Sequence, residues 1–187
     1  MTGMTGMTPA TEVVGEQPVR VWDAFVRVFH WSLVSCVALN YAVVDDGETL
    51  HQVLGYTASA LVLLRIVWGF VGAGHSRFAS FFPTPTRLRE HLASLRRGER
   101  VVHAGHNPFG ALMMLALMAL VLSLGVTGWL QGTDAFFGEE WLQELHEVLA
   151  STLVLLAGVH AAAAIVMSRV ERVNLVAAMI TGVKRRR

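Results

Sequence analysis

Apolar residues in this chain gather into four long windows, near residues 24–44, 50–71, 109–130 and 143–168. A hydrocarbon core about 30 Å thick takes roughly 20 apolar helical residues, so each window is long enough to span one. The third, Phe109 to Leu130, holds no charged residue, and Leu112 to Leu124 keeps no polar stripe of the kind a water-exposed helix needs. The others admit only histidines, Arg65 and a few charges near their ends, namely Arg27, Glu144 and Glu147. Backbone groups in hydrocarbon must be satisfied within their own segment, and the period-two alternation of a membrane barrel is absent. The pattern therefore predicts an all-α integral membrane four-helix bundle.

The polar stretches between the windows set an orientation. Asp45, Asp46 and Glu48 lie between the first two windows, and Asp134, Glu139 and Glu140 between the last two, with no Lys or Arg in either loop. Basic residues concentrate elsewhere: Arg20 and Arg27 before or at the first window, Arg77 to Arg100 in the middle loop, and Lys184 to Arg187 at the end. The positive-inside rule places both termini and the middle loop in the cytoplasm. Residues 1–20, with a Met-Thr-Gly stutter, Pro9 and Pro18, read as a disordered cytoplasmic lead, leaving 21–187 as one membrane domain. In the middle loop Thr84-Pro85 is a helix start and Gly98 a stop. Leu88, Leu92 and Leu95 lie at helical spacing between them, as in a short interfacial helix on the inner leaflet or a solvated connector. Asn107-Pro108 is the corresponding start signal for the third window.

Composition sharpens this picture at two points. The 187 residues are 53% hydrophobic and 16% charged, and the net charge of +1 gives no field for nucleic acid. The one cysteine, Cys36, excludes an intrachain disulfide. Leu33-Val34-Ser35-Cys36 has the look of a lipoprotein cleavage box, but the apolar run continues beyond it, as in a spanning helix.

Histidines supply the candidate chemistry. Of eight, His30, His51, His146 and His160 fall within or at the ends of windows, where an ionisable group is a functional-site hypothesis. His146 and His160 are fourteen residues apart, close to four turns and about 21 Å of rise, so they share a helix face at two depths. With the predicted orientation, His30 matches the depth of His160 near the cytoplasm, and His51 matches His146 near the outer surface. Two facing imidazoles on each of two levels suit bis-histidine haem in a bundle interior. Such haem would be non-covalent, because the Cys-x-x-Cys-His pattern is missing. A histidine-based metal-ion or proton carrier is the alternative. His146-Glu147 lacks a second histidine at position 150, so the metalloprotease helix pattern fails. Arg65 follows His51 by fourteen residues, on the same face at the cytoplasmic level. It is expected either to face the haem carboxylates or to snorkel to the inner surface. The middle-loop histidines, His75, His91, His103 and His106, are expected to be solvated.

The chain from about residue 19 to its end also resembles a known family, the bacterial cytochrome b561 group that includes membrane cytochrome b subunits of nickel-iron hydrogenases. The resemblance rests on Val21-Trp22-Asp23, Arg27-Val28-Phe29-His30-Trp31, His51 to Tyr56, Arg65 to Phe70 and Gly74 to Phe78. It continues through Gly105 to Pro108, Thr127-Gly128-Trp129, Glu144 to Glu147, His160 and Asn174 to Gly182. It implies a four-helix protein of the cytoplasmic (inner) membrane holding two b haems, with His30, His51, His146 and His160 as axial ligands. It further implies electron transfer between the quinone pool and a redox partner such as a hydrogenase, another dehydrogenase or a c-type cytochrome. Gly74 to Arg77 is a candidate region for the quinone. A haem-bearing anchor for a hydrogenase or dehydrogenase complex is a further alternative.

Overall fold

The computed structural model describes residues 19–72, 74–98, 105 and 107–185, so the predicted lead up to residue 18 lies outside the described residues, as do His103 and His106. Among the described residues the regular structure is helical apart from one pair of two-residue strands, β1 (Val19–Arg20) and β2 (Val183–Lys184). The four apolar windows become α1 (Ala24–Ala42), α2 (Thr49–Val71), α5 (Pro108–Gln131) and α6 (Glu140–Val170). Shorter helices lie between and after them: α3 (Phe78–Phe81), α4 (Pro85–Arg96) and α7 (Leu175–Thr181). A 3-10 turn over Gly74–Ser76 precedes α3.

Side-chain caps start most of these helices by satisfying orphan N–H groups. Asp23 Oδ1 accepts from Val26 N at 2.8 Å, and Asn107 Oδ1 from Gly110 N at 2.7 Å. Thr84 Oγ1 accepts from Arg87 N at 3.3 Å and Asn174 Oδ1 from Ala177 N at 2.9 Å. Pro85 and Pro108 occupy first-turn positions, where a missing N–H is harmless.

Helix α1 packs on α2, α2 on α5 and α5 on α6, while α1 and α6 hardly approach each other. Phe29 and Cys36 of α1, Ala58 and Val62 of α2, Met118 and Val121 of α5 and Leu153 of α6 form the common core. Gly125 permits the approach of α2 and α5, since a Cβ there would collide with Ser59 Oγ. Outward faces are apolar and exposed, as at Leu63, Val67, Leu155, Val159 and Val166. Such a surface suits lipid and not water.

Among the described residues three helices are long and apolar enough to cross a membrane: α2, α5 and α6, with mean hydropathies of 1.6, 2.4 and 2.1. The 19-residue α1 falls short of that mark, because Arg27, His30 and Asn40 dilute its apolar residues.

The two chain ends meet at one end of the bundle. β1 pairs antiparallel with β2, Val19 opposite Lys184. Gly182, left-handed at φ 82°, ends α7 and offers its carbonyl to Val21 N and Trp22 N at 2.8 and 3.2 Å. Arg27 Nη1 adds a bond to the Ile180 carbonyl at 2.8 Å.

Helix α4 lies against the start of α5, and it corrects one expectation. His91 is not solvated but 7% exposed, its ring 5.6 Å from that of Phe109. His91 and Ser94 form the docked face, which leaves Leu92 and Leu95 exposed on another. Close by, burial raises the Glu171 carboxyl above its ordinary range, partly offset by Lys184 and His91.

Candidate functional site

At the bundle end away from the termini, His51 in the first turn of α2 faces His146 of α6. Their ring centroids are 6.3 Å apart and their planes inclined at 54°. Both side chains are half-buried. Helix α5 closes this site from the side. Thr127 Oγ1 lies 2.7 Å from His146 Nδ1, and a Cβ on Gly128 would stand 3.4 Å from His146 Cε1. On the other side, His51 Nδ1 has no hydrogen-bond partner, with the exposed Asp46 carboxylate 3.7 Å away.

Nearer the termini, His30 on the second turn of α1 has His160 of α6 as a close electrostatic neighbour. Its ring stands edge-on to Trp31 at 5.2 Å between centroids. Its Nδ1 is buried without a hydrogen-bond partner. The pair lies across the seam where α1 and α6 hardly touch. Helix α6 thus contributes one histidine to each level, as their spacing requires.

Arg65 is buried at the terminal end, only 1% exposed, so it does not snorkel to water. Its Nη2 donates to the Ser76 carbonyl at 3.1 Å, its guanidinium sits 5.3 Å from the Phe78 ring centre, and its Nη1 is buried and unpartnered. Asp23 gathers the same elements: its Oδ2 accepts from Trp68 Nε1 at 3.1 Å and from Ser76 Oγ at 2.5 Å. Burial pulls the Asp23 carboxyl upward, but Ser76, the Val26 and Trp68 N–H groups and the Arg65 charge outweigh it and hold it below its usual range. A shallow cavity of about 270 Å³ beside this knot is lined by Gly69, Phe70, Arg77, Phe78, Ala79 and Phe82.

Thr127, Asp23, Trp68 and Ser76 all lie in segments that carry the family resemblance, but no periodicity indicates that they bond to partners far along the chain.

The match with known proteins decides the family. The family model for prokaryotic cytochrome b561 covers residues 21–182. The chain belongs to the prokaryotic cytochrome b561 family. As a member, it is a b-type haem electron-transfer protein of a membrane. It is also 24% identical over 214 residues to a probable Ni/Fe-hydrogenase B-type cytochrome subunit of Bradyrhizobium diazoefficiens, covering 90% of this chain and 87% of that one. A protein of the same description from Rhizobium leguminosarum bv. viciae is 23% identical over 160 residues, covering 70% of this chain and 66% of that one. No solved structure matches significantly.

Proposed function

We propose that this cytochrome carries two haem b groups on two levels of a four-span bundle and passes electrons between a redox partner and the quinone pool. The observation that carries the reading is the pair of histidine levels served by one helix. An imidazole nitrogen sits about 2.0 Å from its metal and about 1.1 Å from its ring centre, so two imidazoles on one iron place their centres a little over 6 Å apart. The 6.3 Å between His51 and His146 fits that requirement. His30 and His160 would hold the second haem, His160 lying about 21 Å along α6 from His146 by helix rise. Among the described residues no group of three or more His, Cys, Asp or Glu could hold a metal ion. Paired histidines favour haem over a haem-free ion carrier.

Bound haem supplies a one-electron iron couple. The chain's own residues do the rest: histidines ligate, α2 and α6 hold the levels apart, and the apolar core excludes water. Arg65, whose Nη1 is buried and unpartnered, would hold a carboxylate of the haem at the His30 level. The cavity at Gly69 to Phe82, with Arg77 on its wall, adjoins the Gly74 to Arg77 region and receives the quinone head. Loop charges support a cytoplasmic location for the termini and α4, with α1 as the fourth span and Leu92 and Leu95 toward the inner leaflet of the cytoplasmic membrane. The hydrogenase subunits among its relatives support a hydrogenase as partner.

A pyridine haemochrome assay on detergent-purified protein tests this reading. Wild type is expected to hold two b haems per chain and His160→Ala about one. Little or no haem in wild type after haem-replete expression would overturn it.

A further inference from the structure

The structure assigns Thr127 a positioning role: its hydroxyl fixes His146 as an Nε2 ligand and lowers the midpoint potential of the haem at that level. This rests on the haem reading above. Thr127 is 6% exposed, one of few buried polar side chains among the described residues. A hydroxyl has one proton and two lone pairs. Thr127 Oγ1 lies 3.0 Å from the Ser123 carbonyl oxygen and 3.2 Å from that of Leu124, and both oxygens can only accept. The hydroxyl proton is therefore turned back into α5, the usual habit of threonine in a helix.

With the hydroxyl proton in α5 and Nε2 as the ligating nitrogen, the 2.7 Å contact with His146 takes one sense. Nδ1–H donates, Oγ1 accepts, and the lone pair stands on Nε2. A neutral imidazole in the other tautomer would offer Nε2–H toward the iron and could not ligate through that nitrogen. Gly128, the next residue, leaves room for the same ring. Helix α5 thus orients a ligand that belongs to α6.

The hydrogen bond also has an electronic effect. An imidazole that donates its Nδ1–H is a more basic ligand. A more basic ligand favours ferric over ferrous iron, which lowers the potential. His51, facing His146, has the Asp46 carboxylate 3.7 Å from its own Nδ1, which acts in the same direction. At the other level His30 Nδ1 has no such acceptor. Valine, of the same shape, would suit an apolar helix but could not accept this proton.

The test compares wild type, Thr127→Val and Thr127→Ser as full-length protein in detergent, by haem content, potentiometric titration and low-spin electron paramagnetic resonance. In Thr127→Val one of the two midpoints is expected to move upward with a changed signal for that haem, or one haem equivalent to be lost. Thr127→Ser is expected to behave as wild type. Unchanged midpoints and signals in Thr127→Val overturn the role, and so does equal disruption in both variants, which would mark a packing requirement for the whole threonine side chain. A wild type without haem overturns the functional reading itself, a result distinct from either.

Discussion

The Asp23 carboxylate accepts the Trp68 indole N–H at 3.1 Å, joining the first turn of α1 to the last turns of α2 across 45 positions of sequence. The same side chain caps α1 through Val26 N and takes the Ser76 hydroxyl. One carboxylate therefore sets the relative position of two helices and of the turn that holds Arg65.

Asp23→Ala is expected to destabilise the protein by about 2–4 kcal/mol, from a lost cap and two donors left without their acceptor. Asparagine can still cap, so Asp23→Asn isolates the charge-dependent part. Because the folded carboxyl lies below its ordinary 3.8, its ionised form contributes stability above that pH, and the contribution is lost as pH falls through the folded value. Thermal unfolding in detergent, followed by helical circular dichroism, should show wild type above Asp23→Asn at neutral pH and the gap closing below about pH 3.8.

Gly128 faces the His146 ring, and a Cβ would lie 3.4 Å from Cε1, in van der Waals contact before any branching. Gly128→Val is expected to push the imidazole away from His51 and, in the proposed two-haem arrangement, to release about one haem. Gly158 provides the control, because a Cβ there meets nothing within 4 Å. Gly158→Ala should keep wild-type haem content in the same assay.

The helices were largely legible in the sequence because apolar windows and capping pairs are local signals. Thr84-Pro85 and Asn107-Pro108 open α4 and α5 where the pattern placed them. Spacing also showed that His146 and His160 share a face, since both lie on one helix. What stayed hidden depends on contacts across the chain. The Thr127 bond joins α5 to α6, and the Asp23 knot joins three segments. His91 misled because its loop folds back on Phe109, and the two-residue strands are too short for any alternation to show.

Topology can be read with cysteines, because the native Cys36 is buried in the core and gives little background. Asp134→Cys, in the loop before α6, is expected to react with a membrane-impermeant maleimide added to intact spheroplasts. Arg96→Cys, at the end of α4, is expected to react only after lysis. The reverse pattern would overturn the orientation that the loop charges predict.

Arg65 offers the sharpest contrast with Thr127, because in the proposed reading it acts on the other level with the opposite sign. A cation near a haem disfavours the extra positive charge of ferric iron, so it raises the midpoint. Arg65→Leu is expected to lower the midpoint of the His30/His160 haem and leave the other unmoved, whereas Arg65→Lys should retain most of the wild-type value. The guanidinium is 1% exposed, so bulk salt screens it weakly and the difference should persist at high ionic strength. Potentiometric titration of the three proteins at low and high salt decides the matter. If both midpoints and haem contents stay at wild-type values in Arg65→Leu, the buried arginine serves Ser76 and Asp23 alone, and the haem carboxylates are held elsewhere.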